Sequence, residues 1–564
     1  MELKRNRTII NRKYMEYFIP TILTAMASNI AIMVDSTIVG NLLGSAELSS
    51  VNLLSPVNQL YFSMSILFGL SAASIIAKVK GADGTDRDGC NNVFTTGFLS
   101  LAVLCIILMV VQFVFLDNIV NLLTSDENLR ILVKQYYIPL IAGTPITLFM
   151  TSGIHLVRTD GRPKFASKII IIANCVNLVL DLITILLFKA GIMGASISTV
   201  IGNTVGVVLL LTHFRRNDNT LRLNFKILKD LSVFAKNLID LLATGVSGAL
   251  ATLLITVKML FLNTIIQQYG GQSALVAYAV VSLCQVFVSA FVTGASQTMI
   301  PIVSLLMGEK DYKGVKFTFR YAFRILLICS LAITAIAEII PESIVRLYGL
   351  RTAEDLAMGI SALRISSLLF PAMAITFLIQ YFFMCTGKRS ISTTISVING
   401  VVFVIPFGLL FSYLFGITGV WIALVAAQFA TLIVVIAIAS IIKLRSKGRY
   451  RSLYLIDENT VDELLSFSID KNSSETVRKY ITEKVNERTA DAVCAVLDIL
   501  NAADLEKRRK RNYTDIRICK DQDLKVIIKN SGASVGEDAF SQISSVKYAK
   551  VLGFNQIRIT MQEG

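Results

Sequence analysis

Long, nearly uncharged stretches repeat throughout the first 445 residues, and they leave such a chain very few folds. Read at a threshold of about 20 residues, the length that crosses a hydrocarbon layer as a helix, they fall at about 14–42, 48–77, 93–116, 132–156, 166–188, 191–213, 234–264, 274–306, 318–340, 359–385, 391–414 and 417–442. In lipid every backbone N–H and C=O needs an internal partner, so spans of this length are read as helices. The whole chain of 564 residues is 54% hydrophobic and only 16% charged, which excludes a water-soluble protein of this size. The expected fold is therefore an all-α polytopic membrane protein with twelve transmembrane helices. After Lys443 the pattern changes, and residues 450–564 contain no stretch long enough to span.

A net charge of +15 could suggest nucleic acid. The basic residues, however, are spread over short loops on alternate sides of the spans, as in Lys4, Arg5, Arg7, Arg12 and Lys13, then Lys78, Lys80 and Arg87, then Arg158, Arg162 and Lys164. The same side carries Arg215, Arg216, Lys310, Lys313, Lys316, Lys388, Arg389, Lys443 and Arg445. This asymmetry orients a multi-pass protein of the cell membrane with both termini cytoplasmic, and it leaves no call for a nucleic-acid partner. Met1–Lys13 reads as a retained cytoplasmic end, because no small-residue cleavage site follows it. The eight cysteines and two histidines show no metal-ligand spacing.

The chain also repeats itself. Gly191-Ile-Met-Gly194 returns as Gly416-Ile-Thr-Gly419, an offset of 225 residues that also relates Asn174 to Asn399 and Asn203 to Gln428. Six spans return a chain to its starting side, so the halves are expected to be parallel six-helix repeats with a cavity between them. The boundaries that follow are a cytoplasmic N-terminus (1–13), an N-terminal bundle (14–214), a linker (215–233), a C-terminal bundle (234–445) and a cytoplasmic α/β regulatory domain (450–564).

Two acids lie deep in the spans. Asn174, Asn177 and Asp181 share one helix face at spacings of three and seven. Asp35 sits in Ala31-Ile-Met-Val-Asp-Ser-Thr-Ile-Val-Gly40. An intramembrane carboxylate must face protein or a wet cavity, and two that meet cannot both stay ionised without a partner. Such a pair can exchange a proton or a cation, and Pro20 offers a hinge by which the Asp35 helix could bend.

At these stretches the chain resembles the multidrug and toxic compound extrusion (MATE) family. The resemblance covers about residues 10–445: Asp35-Ser-Thr-Ile-Val-Gly40, the Gly-Arg-Pro-Lys turn at 161–164, Asn177-x-x-x-Asp181, and Gly194-Ala-Ser-Ile-Ser-Thr199. Family members export organic cations or other amphipathic compounds in exchange for protons or sodium. The resemblance therefore implies a cation-coupled efflux antiporter, not an enzyme, with no cofactor. Its partners are a small-molecule substrate, a proton or sodium ion and membrane lipids. By the same resemblance Asp35, Asn177, Asp181 and Thr199 belong to the coupling site. Independently of it, Asn174, Asn177 and Thr199 supply hard oxygen ligands, so that sodium would suit a site at Asp35, Asn177 and Asp181. Some members carry a glutamate in the seventh span; here Ala251–Leu260 offers Lys258 and the tenth span offers Gln380, so both are cavity candidates. His155, before the Arg158 turn, reads as a helix-end residue. Two alternatives stay open: a lipid-linked oligosaccharide flippase, for which Lys258 is thin support, and a membrane sensor kinase.

The kinase alternative rests on the tail. A strand at Leu465–Ile469, a helix at Ser474–Leu500, strands at Thr514–Ile518 and Leu524–Lys529, a helix near Ser541–Leu552 closed by Gly553, and a strand at Gln556–Met561 are expected. The order resembles the histidine-kinase-type ATPase fold of anti-sigma-factor kinases, in degenerate form. Asp498 and Asn501 are one residue too close for the magnesium pair, Asn530 stands in place of the adenine-reading Asp, and no glycine-rich lid is visible. A ferredoxin-like βαββαβ module stays open, as does a protein partner for this domain. Lys507-Arg-Arg-Lys-Arg511 could touch acidic lipids at about 1 kcal/mol per basic residue.

Overall fold

The computed structural model describes residues 4–216, 219–347, 353–469, 474–506, 513–520, 523–540, 543 and 545–561. Ten helices among them are long and apolar enough to cross a membrane, and a bent pair makes eleven. In chain order these are α1 (Thr8–Leu42), α2 (Ser45–Ala82), α3 (Arg87–Val114), the bent α4 (Glu127–Ala142 with Thr144–Thr159), α5 (Pro163–Leu187) and α6 (Gly191–Phe214). They continue as α7 (Leu231–Gly271), α8 (Ala277–Gly308), α9 (Tyr312–Ile339), α10 (Ala353–Cys385) and α11 (Arg389–Arg445).

The departures from the expected spans have local causes. α4 turns by 58° at Gly143, between Pro139 and Pro145, where prolines remove helix hydrogen bonds on both sides of the break. α11 covers two of the expected spans in one element of 57 residues, but its backbone leaves helical geometry at Gly416, with φ 60° and ψ −140°. A left-handed φ of this kind favours glycine. Gly191, 225 residues earlier, has φ 58°.

Other features recur at similar offsets. Asp86 accepts the Gly89 amide at 2.7 Å to cap α3, and Asp311 accepts the Gly314 amide at 2.9 Å to cap α9. Asn203 donates to Thr147 Oγ1 at 3.0 Å, while Gln428 donates to Thr376 Oγ1 at 3.1 Å.

The largest apolar core joins α1 to α7–α11 and includes Tyr14, Tyr17, Phe370, Phe382 and Trp421, all fully buried. By contrast Ile106, Val110 and Phe113 of α3 are each more than half exposed, as suits a surface solvated by lipid. On the side rich in Lys and Arg, here called the basic face, α2 and α8 cross with their backbones touching. A Cβ on Gly81 would lie 2.0 Å from the Leu305 carbonyl oxygen, and one on Gly308 would lie 2.0 Å from that of Lys78. One to two turns deeper, the Ser74 and Ser304 hydroxyls meet at 2.9 Å.

The tail forms a five-stranded sheet of β1 (Asp462–Ile469), β2 (Thr514–Lys520), β3 (Leu524–Asn530), β4 (Val546–Val551) and β5 (Phe554–Met561), in the order β1-β2-β3-β5-β4 with all neighbours antiparallel. α12 (Ser474–Lys484) and α13 (Glu487–Glu506) pack on one side through Val477, Ile481, Val493 and Val496 against Ile516, Val526 and Ile557. The expected single helix is thus two, divided where Asn486 Oδ1 accepts the Thr489 amide at 2.8 Å.

The helix expected near 541–552 is instead the strand β4. Its residues alternate between the domain core (Val546, Tyr548) and the membrane bundle (Ala549, Val551). Leu552 and Gly553, which read as a helix stop, have φ 50° and 81° and form the two-residue turn into β5. With a strand there, the ferredoxin-like order is excluded. The basic run 507–511 lies outside the described residues.

Candidate functional site

α1 and α5 run side by side in the same direction, and their polar contacts recur every seven residues or so. The Ser167 hydroxyl donates to the Pro20 carbonyl at 3.0 Å, and the Asn174 amide donates to Ser28 Oγ at 3.4 Å. Next along this seam, the Asp35 and Asp181 carboxyls lie within hydrogen-bond reach of each other. Seven residues are nearly two turns, so one face of each helix supplies all three contacts. Pro20 also receives the Thr24 hydroxyl at 2.6 Å, so the carbonyl at the hinge candidate is held by both its own helix and α5.

The two acids are not equivalent. Asp181 is fully buried and Asp35 half-buried. Asn177 Nδ2 donates to Asp181 Oδ2 at 3.2 Å and to Thr199 Oγ1 of α6 at 3.3 Å. Ser198 lies beside Asp181 as well, with its hydroxyl donating to the Gly194 carbonyl at 2.9 Å and meeting Thr184 at 3.0 Å. One oxygen of each acid, Asp35 Oδ1 and Asp181 Oδ1, is buried without a hydrogen-bond partner. Two carboxyls in contact, each with an unsatisfied oxygen, need a proton or a cation between them.

Oxygen donors from Asp35, Asp181, Asn177 and Thr199 are hard ligands suited to sodium, and the same atoms can hydrogen-bond a protonated acid. Sequence reasoning missed Tyr136 of α4, which is buried beside both acids and Thr199. Nothing in the apolar period of that helix distinguishes Tyr136 from Tyr137, which instead donates to Gln112 at 2.9 Å.

The other candidates lie elsewhere. Asn174 is at the Ser28 contact, one step along the seam from the acids. Lys258 shares a helix face with Leu262 and Ile265 of the C-terminal core. Gln380 is buried and reaches the Ser247 carbonyl at 3.4 Å, while its Oε1 has no hydrogen-bond partner. These two do not join the acidic pair. His155 is buried in α4.

His213 meets the acid that sequence reading passed over. Its Nε2 is 3.2 Å from Asp160 Oδ2, and Lys80 Nζ reaches Asp160 Oδ1 at 2.9 Å and Thr220 Oγ1 at 2.7 Å. Burial disfavours the charged Asp160, but Lys80, His213 and Thr220 outweigh it and hold the carboxyl down at about 2. In the tail, Asn530 donates to Thr514 at 2.9 Å and accepts from Gly532 and Asn555 at 2.7 and 3.3 Å. Its side chain is taken up inside the domain.

Comparison with known proteins agrees with this architecture. The MatE family model matches residues 20–183 and again 248–410, more than half of the chain. The multidrug export protein MepA of Staphylococcus aureus (strain MRSA252) is 23% identical over 428 residues, covering 74% of this chain and 91% of that protein. MepA of Staphylococcus haemolyticus is 22% identical over 420 residues, covering 74% and 90%. An outward-facing multidrug resistance MATE transporter of the MOP superfamily superposes with a TM-score of 0.71 at 21% identity, over 77% of this chain and 96% of that one. The chain therefore belongs to the MatE family: it is a multi-pass membrane efflux transporter, not an enzyme.

Proposed function

We propose that the chain is an antiporter that exports organic cations or other amphipathic compounds in exchange for a proton or sodium ion held at Asp35 and Asp181. The observation that carries this reading is the contact of those two acids, with an unsatisfied oxygen on each, inside a helical bundle. Occupancy by a proton or cation relieves the repulsion, and an empty site does not. A conformation that brings the acids together therefore binds the ion better than one that parts them, and that difference in affinity drives the exchange. Asn177 and Thr199 orient the pair, and Pro20 is the hinge of α1.

The reading includes twelve spans in two parallel repeats of six, with the break at Gly416 counted as a loop. The two separate family matches, the left-handed Gly191 and Gly416, and the paired caps at Asp86 and Asp311 support it. It also places both termini and residues 450–564 in the cytoplasm, on the strength of the loop charges. In proteoliposomes holding the purified full chain, tetraphenylphosphonium should be driven out by an inward gradient of protons or of sodium, imposed separately. Absence of driven flux under either gradient would overturn the proposal.

A further inference from the structure

We propose that the C-terminal domain is a clasp that holds the basic face shut by gripping the ends of α2 and α8 together, and that it must let go of one of them each time that face opens. This rests on the proposed alternation of two halves. The grip comes from the face of the sheet that does not pack on α12 and α13. Along β2, β3 and β5 that face presents polar residues, yet Arg517, Lys529 and Gln556 are at most 6% exposed. They are buried against the membrane bundle.

Two arginines do most of the holding. Arg517 donates to the Glu309 and Lys310 carbonyls, each at 2.8 Å, at the end of α8. Arg558 donates to the Gly81 and Ala82 carbonyls, which end α2. Helix ends expose unpaired carbonyls and a negative partial charge, so a guanidinium is a suitable cap for each. The two arginines stand in register, since Arg517 pairs with Ile527 and Ile527 with Arg558. Two strand spacings amount to about 10 Å, close to the roughly 8–10 Å between the axes of packed helices. The sheet thus presents its two cations at the spacing of two helices in contact.

That spacing holds only while the helices touch. The gripped carbonyls lie within two residues of Gly81 and Gly308, where the two backbones meet. If the halves part on this side, a rigid sheet cannot keep both grips. Each half is also held a second time. Lys547 pairs with Asp83 at 2.9 Å on the α2 side, while Lys529 and Gln556 both bind the Glu309 carboxylate on the α8 side.

Cys385 reports on the seam directly, because its buried thiol lies beside Ser74 of α2 and Ser304 of α8, whose hydroxyls meet there. In a full-length chain keeping Cys385 as its only cysteine, embedded in lipid nanodiscs, a charged methanethiosulfonate should modify it slowly. Arg517→Ala with Arg558→Ala should accelerate that reaction about tenfold or more. An unchanged rate overturns the clasp. Because no substrate or gradient is involved, this readout survives even if the antiport reading fails.

A second test does not depend on a weakened domain. In a chain whose native cysteines are all replaced by alanine, the pairs Asp83→Cys/Lys547→Cys and Lys313→Cys/Glu463→Cys are joined by a short bismaleimide. Both joins together should cut tetraphenylphosphonium efflux about tenfold or more, whereas either alone should leave it running. Efflux at the parent rate with both joins in place overturns the proposal.

Discussion

Replacing Asp181 with asparagine is expected to cut gradient-driven efflux severely while leaving the protein folded. The amide would keep the size of the side chain and could still pair with Asn177, which now bonds Asp181 at 3.2 Å. It could not ionise, so the repulsion that makes ion binding depend on conformation would vanish. Coupling between two sites in one protein is commonly worth about 1–3 kcal/mol, or about 5- to 150-fold in affinity, and the loss should fall in that range. Asp35→Asn should do the same. Since the acids lie within hydrogen-bond reach of each other and act as one site, the double variant should be no worse than either single one. Efflux under proton and sodium gradients separately, in all four chains, checks this.

The largest loss of stability is expected from Asp311→Ala. Asp311 is fully buried, accepts Arg5 Nη1 at 3.1 Å and Nη2 at 2.7 Å, and caps α9. Burial disfavours its charge, but Arg5 and Arg517 hold its carboxyl well below the usual range. Burial likewise opposes the charge on Arg5, and Asp311 with Asp515 raises it above the usual arginine value. Removing the acid leaves a buried guanidinium short of its main partner, which costs about 3–5 kcal/mol. The thermal unfolding midpoint of the purified full chain should fall accordingly. Lys313→Ala, at a pair with Glu463 whose lysine is 63% exposed, should cost no more than about 1 kcal/mol.

The pH dependence of this stability follows from the sign of the shifts. A carboxyl whose folded value is depressed contributes above its unfolded value, near 4, and loses that contribution only as pH falls through the folded value. For Asp160 that value is about 2, and Asp83 lies there too: burial works against its ionisation, and the bonds from Lys547 and Thr85 prevail. The Asp160 and Asp83 carboxylates should therefore stay ionised between about pH 5 and pH 8. A pH dependence of transport in that window has to originate at other groups, with the Asp35 and Asp181 pair the first to test.

What could be read from the sequence was set by how strongly lipid constrains it. Charged residues are so costly in spans that Asp35 and Asp181 stand out from the surrounding Ile, Val and Leu without any structure. The same logic fails for Tyr136, because an aromatic is cheap in a membrane helix and its neighbour Tyr137 has the same character. It fails again for the tail. Asp515-Ile-Arg-Ile-Cys519 and Gln556-Ile-Arg-Ile-Thr560 alternate as strands with one wet face would, and only the fold shows that the charged face is buried against helix ends. The Lys550-Val-Leu-Gly553 stretch misled for a local reason, since a glycine after an apolar run serves equally to stop a helix or to turn a hairpin.

The central claim can be tested without a membrane gradient. When tetraphenylphosphonium is added to the purified full chain in weakly buffered detergent solution, binding should release a proton, or sodium if that is the coupling ion, and a pH indicator or a sodium electrode would record it. The same addition to a chain carrying Asp35→Asn and Asp181→Asn should release neither. Saturable binding to the parent chain with no change in free proton or free sodium would contradict the account.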